Sequence, residues 1–98
     1  METNIGKKVI IRGYRSGVEF GTLVAHNGRE VTLHDARRIW TWAGAASLSQ
    51  LAMDGTSKPD DCRFSVKVNS ITILDAMEII PCTDKAIESI EGVKDCNF

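Results

Sequence analysis

The amino-acid sequence predicts a small α+β domain, built as a curled antiparallel sheet or open barrel of about five strands with two short helices. Short runs rich in β-branched residues follow one another, and residues typical of turns separate them. The connections between these runs are too short for parallel pairing, except around the first predicted helix. A chain of 98 residues suits a single domain, over 1–98, with a tail at 93–98 that we expect to be loose.

The first half of the chain is predicted to form antiparallel strands that pair as sequence neighbours. Asn27-Gly28 is a strong hairpin signal, because Asn and Gly tolerate the positive φ of a two-residue turn. Gly21, inside a strand, indicates a bulge or the close approach of another backbone. Asp35-Ala36 interrupts the alternation, so we expect a bulge or bend there. The predicted strands cover residues 8–12, 18–25, 29 or 30 to 34, and 37–42.

The second half of the chain is predicted to mix helices and strands. Ser47 and Gln50 have the spacing of a capping box, and Gly55 can end the short helix that follows. Thr83 can cap a second helix over 84–91. Between the helices we predict a strand over 63–68 with Phe64, Val66 and Val68 facing inward, a turn at 69–70 and a strand over 71–80.

Composition and charge exclude several classes of function. Hydrophobic residues make up 43% of the chain, charged residues 26%, and the net charge is −1. Proteins that bind duplex nucleic acid usually carry a basic excess, so duplex DNA or RNA is not an expected partner. No signal peptide and no apolar run near the roughly 20 residues of a membrane span are present, so we expect no membrane partner. An odd, widely spaced set of cysteines predicts free thiols rather than disulfides or a zinc site; these are Cys62, Cys82 and Cys96.

The most informative stretch is residues 37–50, which read Arg-Arg-Ile-Trp-Thr-Trp-Ala-Gly-Ala-Ala-Ser-Leu-Ser-Gln and contain both tryptophans. On a regular strand Arg38, Trp40 and Trp42 share one face, while Arg37 points to the other. Aromatic rings stack on flat ligands, a guanidinium grips phosphate, and a helix start offers unpaired N–H groups to an anion. The predicted ligand-binding residues are therefore Arg38, Trp40, Trp42, Gly44, Ala45, Ser47 and Ser49, with Tyr14 and Arg15 of the first turn as a second wall.

Each of these features also has a purely structural explanation. The tryptophans can fill a small core or an oligomer interface, and Ser47 can simply cap its helix. Arg38 can be a solvated charge or can stack on an aromatic ring inside the fold. Catalysis has little support, because His34 and Asp35 are adjacent on a strand and point apart, and no hydrolase motif is present. We assign no catalytic residue, metal ligand or cofactor, and the sequence leans away from an enzyme.

Three stretches together resemble a family of small bacteriophage and prophage proteins of unassigned function. They are the run from Arg37 to Ala52, the run Pro59-Asp60-Asp61-Cys62-Arg63-Phe64 and the run Glu78-Ile79-Ile80-Pro81-Cys82-Thr83. The resemblance spans residues 18–93 and includes the motif Arg-Ile-Trp-x-Trp-x-Gly-Ala-x-Ser-Leu-Ser. It implies a phage-encoded protein that works in the cytoplasm of the bacterial host. Some phage proteins of this size are sponges, which oligomerise and sequester the cyclic nucleotides of bacterial immune signalling.

The resulting hypothesis is a phage-encoded binding protein that sequesters a nucleotide or cyclic-nucleotide signal and so counters host defence. We expect a homo-oligomer, since a domain this small gains stability from association. Two alternatives stay open. One is an accessory interaction or structural module, with Trp40 and Trp42 in a protein–protein interface. The other is a binder of single-stranded nucleic acid, which the acidic balance of charges disfavours.

Overall fold

A computed structural model describes residues 4–96, which form one antiparallel sheet packed against two helices. The sheet has six strands in the order β4-β3-β2-β1-β6, with β5 also paired to β3. The predicted α+β class with an open, curled sheet is therefore confirmed. The strands are β1 (Lys8–Gly13), β2 (Val18–Asn27), β3 (Glu30–Thr41), β4 (Arg63–Phe64), β5 (Val68–Ile73) and β6 (Ala76–Pro81). The helices are α1 (Leu48–Asp54) and α2 (Asp84–Glu91), with a 3-10 turn at Pro59–Asp61.

The sheet curls because its edge strands are tied together through a very short connection. β5 pairs with β3 at one edge, β6 pairs with β1 at the other, and only Leu74 and Asp75 join β5 to β6. Two bulges between β2 and β3 allow the bend: β3 has an extra residue opposite the stretch from Phe20 to Thr22, and β2 has an extra residue between Leu23 and Ala25. A Cβ on Gly21 would lie 3.0 Å from the carbonyl oxygen of His34, so the predicted close backbone approach at Gly21 is confirmed.

Alternation along the strands gives the sheet a core on each face. The inner core lies inside the curl and consists of Val9, Ile11, Leu23, Val31, Leu33, Ala36, Ile73 and Ala76. The helix-side core lies between the sheet and the two helices and consists of Ile10, Phe20, Ile39, Leu51, Ala52, Cys62, Phe64, Ala86, Ile90 and Val93. Side chains of β3 therefore contribute to both cores, and the strand positions the residues of the predicted binding stretch.

The local signals read from the sequence act as predicted. Gly28 has φ 62° in the turn between β2 and β3. The Ser47 hydroxyl accepts a hydrogen bond from Gln50 N at 3.1 Å, and Gly55, with φ 74°, follows the last residue of α1. Thr83 Oγ1 accepts from Ala86 N at 3.1 Å and caps α2. Asp35 adopts φ 52°, which is the predicted bend inside β3.

The predicted strand over 63–68 is wrong beyond Phe64. β4 contains two residues, and Val66 and Val68 are exposed rather than packed in the core. The strand ends at Phe64 because Ser65 is hydrogen-bonded to two arginines of β3. The Ser65 carbonyl oxygen accepts from Arg37 Nε at 3.0 Å, and the Ser65 hydroxyl accepts from Arg38 N at 2.7 Å. The predicted turn at 69–70 is also wrong, since β5 runs through it and the turn lies at 74–75.

The prediction of a loose tail is wrong for residues 93–96, and residues 97–98 lie outside the described part of the chain. Val93 is buried in the helix-side core. Asp95 forms a parallel bridge with Phe64, and Cys96 N donates to the carbonyl oxygen of Phe64 at 2.8 Å. The segment is held because it adds backbone hydrogen bonds to the short strand β4.

Candidate functional site

A bulge in β3 separates the two tryptophans. Ile39 pairs with Phe64 and Thr41 with Arg63, so the register shifts by one residue around Trp40. Trp42 packs against the helix-side core, whereas Trp40 stays largely exposed and lies beside Arg38. The prediction that Arg38, Trp40 and Trp42 share one face is therefore wrong for Trp42, because the extra residue reverses the alternation.

Arg38 and Trp40 line a surface groove of about 400 Å³, which we call the Arg38–Trp40 groove. β3 supplies these two side chains, the segment after β4 supplies Ser65, and β5 supplies Ser70 and two aliphatic side chains. The groove is lined by Arg38, Trp40, Ser65, Val68, Ser70 and Ile71. Ser65 fixes one wall, because its N–H also donates to the carbonyl oxygen of Arg38 at 2.8 Å. The groove thus combines an aromatic ring, a cation, hydroxyl groups and apolar surface.

Glu19 lies behind Arg38 and holds its guanidinium. The two residues face each other across β2 and β3, and Arg38 Nε lies 3.2 Å from Glu19 Oε2. The Glu19 side chain is fully buried, and its Oε1 has no hydrogen-bond partner among residues 4–96. Burial raises the pKa of the Glu19 carboxyl, the Arg38 guanidinium opposes that rise, and Asp75 adds to it. Arg38 is therefore a positioned cation with a buried counter-charge.

Arg37, next to Arg38, is a structural residue. Its buried guanidinium lies over the Phe64 ring, 5.3 Å from the ring centroid. Nη1 donates to the carbonyl oxygen of Ile90 at 2.9 Å, and Nη2 donates to Asp95 Oδ1 at 3.1 Å. Burial lowers the pKa of the Arg37 guanidinium, and the nearby carboxylates oppose that change. Arg37 therefore ties β3 to α2 and to the C-terminal segment, on the face opposite the groove.

Trp42, Ser47 and Ser49 line a separate cavity of about 410 Å³ beside α1. The arginine at this cavity is Arg12, which the sequence analysis did not single out and which pairs with Glu78 at 3.1 Å. The Ser47 hydroxyl is engaged in the helix cap. Three of the predicted ligand-binding residues are thus together, but not with Arg38 and Trp40.

The remaining predicted residues lie elsewhere. Gly44, with φ 80°, approaches the backbone of Ser57, and Ala45 packs against the helix-side core. Tyr14 is 74% exposed on the first turn, and the Arg15 guanidinium lies 6.0 Å from the centroid of its ring. The predicted set is therefore distributed over several places, and Tyr14 and Arg15 line neither cavity that contains a tryptophan.

Among residues 4–96, no group of three or more His, Cys, Asp or Glu side chains could hold a metal ion. No helix within that range is long and apolar enough to cross a membrane. Cys62, Cys82 and Cys96 are free, and burial raises the pKa of the Cys82 thiol to about 12. A neutral, half-buried thiol is a poor nucleophile, so Cys82 acts as a packing residue.

Sequence reasoning missed Glu19, Ser65 and Ser70. The sequence does mark Glu19 as unusual, since it is a charged residue between Val18 and Phe20 in a predicted strand. Pairing back from the Asn27-Gly28 hairpin also brings it opposite Arg38, because the two register shifts between β2 and β3 cancel. Ser65 and Ser70 carried no signal of their own, because serine is common in turns and strand ends alike.

Comparison with known proteins identifies the family. No curated protein and no solved structure matches the chain. The model of one protein family, described as a domain of unknown function (DUF6948), matches residues 6–90. That range includes the Arg38–Trp40 groove, both helix caps and all but the last residue of α2. The protein therefore belongs to the DUF6948 family.

Proposed function

We propose that this protein binds a flat, anionic small molecule in the Arg38–Trp40 groove, and that the ligand is a nucleotide or cyclic nucleotide. The observation that carries the proposal is the presence of one guanidinium and one indole ring in the same groove. Binding without turnover fits the role expected from the resemblance, in which a phage protein sequesters a signal of host defence. The protein would then work in the host cytoplasm as a sponge.

The chemistry of the groove supports such a ligand. A base stacked on Trp40 would contribute about 1–3 kcal/mol. A phosphate oxygen accepts strong, charge-assisted hydrogen bonds from a guanidinium, which Glu19 holds in place through Nε. The hydroxyl of Ser70 adds a neutral polar group to the groove, whereas the Ser65 hydroxyl is engaged, since it accepts from Arg38 N and donates to Val66 O. A volume of about 400 Å³ is within the range of ordinary small-molecule sites.

Calorimetry with cyclic and linear adenine and guanine nucleotides tests the proposal. We expect Trp40→Ala to weaken nucleotide binding about ten- to a hundredfold, with little dependence on salt. Tyr14→Ala is the matched control, because it removes an exposed aromatic ring outside the groove. Equal binding by wild type and Trp40→Ala, or no binding of any nucleotide by the wild type, would overturn the proposal.

A test of Arg38 needs a variant in which the charge of Glu19 is removed as well. Arg38→Ala alone would leave the buried Glu19 carboxylate without its counter-charge, so lost binding could reflect lost stability. Arg38→Ala in a Glu19→Gln background removes both charges together. We expect this double variant to fold and to lose nucleotide affinity by about ten- to a hundredfold relative to Glu19→Gln. Unchanged affinity would remove Arg38 from the site.

An interaction module is the second candidate function, and an exposed apolar patch favours it. Trp40 is 47% exposed, Val66 52% and Val68 39%; Trp40 and Val68 line the groove, and Val66 follows the lining residue Ser65 in sequence. Exposed apolar surface of this kind often marks a protein interface. Val66→Asp would then split an oligomer, as measured by light scattering. Because Val66 does not line the groove, nucleotide affinity per chain should survive if the two functions are separate.

A further inference from the structure

We infer that the Arg38–Trp40 groove selects a singly charged phosphodiester over a nucleoside triphosphate, and that Glu19 sets this preference. The inference rests on the proposed function and specifies the charge of its ligand. It follows from the balance of charge around the groove. Arg38 is the one cationic side chain among the residues that line it, and Glu19 supplies a carboxylate directly behind that cation.

Two neighbouring cations have counter-charges of their own. Lys67 follows the groove wall in sequence, but its Nζ lies 3.9 Å from Glu91 Oε1, at α2. Arg37 is buried on the opposite face, with Asp95 as its counter-charge. Arg63 is exposed on β4 but does not line the groove, so within residues 4–96 the groove lining offers no second cation to additional phosphate groups.

Geometry leaves Arg38 able to bind one anion. The guanidinium meets Glu19 through Nε, which leaves the edge formed by Nη1 and Nη2 for a second, bidentate partner. A phosphodiester carries one negative charge and matches that edge. A triphosphate carries three or four, and its additional charges would meet no further cation in the groove lining while they lie within range of the buried carboxylate of Glu19.

Two variants isolate the effect of the carboxylate. Glu19→Gln keeps the size and a hydrogen-bonding oxygen for Arg38 but removes the negative charge. Glu30→Gln is the control, because Glu30 is exposed at the start of β3 and lies outside the groove. A unit charge removed close to a bound anion should change affinity about tenfold for a triphosphate, and less for a monoanion.

The experiment is calorimetry with 3′,5′-cyclic AMP and GMP against ATP and GTP, at one fixed ionic strength without divalent cations. We expect the wild type to bind a cyclic monophosphate at least about tenfold more tightly than the matching triphosphate. Glu19→Gln should reduce that ratio about tenfold, and Glu30→Gln should leave it unchanged.

Each outcome decides one of the claims. Tighter binding of the triphosphate by the wild type overturns the inference, while the proposed nucleotide-binding function stands. An unchanged ratio in a folded Glu19→Gln variant also overturns it. If Glu19→Gln fails to fold, the affinity ratio of the wild type for cyclic monophosphate over triphosphate still decides whether the groove prefers a singly charged ligand. Binding of neither class of nucleotide by the wild type overturns the proposed function itself and the inference with it.

Discussion

Replacing Arg37 should destabilise the whole fold. Most arginines in strands are exposed to solvent and contribute little to stability, but Arg37 is buried. The Arg37 guanidinium is buried and donates to the carbonyl oxygens of Ser65 and Ile90 and to the carboxylate of Asp95. Arg37→Met keeps most of the aliphatic volume and removes all of these donors. The segments that Arg37 joins would then rely on the Phe64 bridge and on apolar packing.

The loss of unfolding free energy in Arg37→Met is the difference between the hydrogen bonds removed and the desolvation penalty of the buried cation that is relieved. Hydrogen bonds from a charged donor are worth about 1.5–3 kcal/mol each, so three of them set an upper limit of about 5–9 kcal/mol. Burial lowers the pKa of Arg37, which shows that desolvation of the cation offsets part of this gain. Asp95 is half-exposed and regains water when Arg37 is lost. We therefore expect a net loss of about 2–4 kcal/mol.

Urea unfolding monitored by circular dichroism measures this loss. With a slope of about 1 kcal/mol per molar, typical of a small domain, the midpoint should fall by about 2–4 M. Arg63→Met is the matched control: Arg63 is exposed on β4, next to the same segment, and should change stability by less than about 0.5 kcal/mol. Equal unfolding free energies for Arg37→Met and Arg63→Met would refute the structural role of Arg37.

Four further predictions concern pH, backbone geometry, thiols and assembly. Burial raises the pKa of Glu19 above its ordinary 4.5, so the stability from this group is present below pH 4.5 and is lost as pH rises through the raised pKa. Wild type should therefore lose stability relative to Glu19→Gln as pH rises above 4.5, and a difference independent of pH would contradict this. Gly44→Ala should cost about 1–3 kcal/mol in thermal or urea unfolding, because φ is 80° and the new Cβ would lie 2.6 Å from Ser57 N; an unaffected midpoint would be the contrary result. Replacing all cysteines by Ala in reducing buffer should preserve the circular dichroism spectrum, whereas a lost fold would show that a thiol is essential; the cysteines are Cys62, Cys82 and Cys96. Light scattering at micromolar concentration should report a homo-oligomer, and the mass of one chain at every concentration would argue against it.

The fold was largely predictable because its signals are local. The Asn27-Gly28 hairpin, the bend at Asp35 and the caps at Ser47 and Thr83 each depend on residues a few positions apart. The prediction of a strand over 63–68 was wrong because the conformation of this segment depends on its contacts with β3. Alternating hydrophobic residues predict burial only if the strand stays in register, and Arg37 and Arg38 remove Ser65 from that register.

The candidate site was predicted less well because a site depends on distant partners. Arg38 and Trp40 line the same groove, since residues two positions apart on a strand share a face. Trp42 does not join them because of a bulge whose only trace is the register of β3 against β4. The carboxylate that positions Arg38 comes from Glu19, which the hairpin register places opposite Arg38, but only the tertiary packing buries Glu19 and makes it the counter-charge.

The sequence by itself determined the class of fold, the positions of the turns and helix caps, and a stretch in which cationic, aromatic and small residues are concentrated. Only the tertiary structure decided what adjacent residues do. Arg37 and Arg38 are chemically identical neighbours, yet one is buried against α2 and the C-terminal segment while the other lines a groove. The reason is that local preferences depend on neighbours along the chain, whereas burial and counter-charge depend on contacts such as Arg37 with Ile90, 53 positions apart in the sequence.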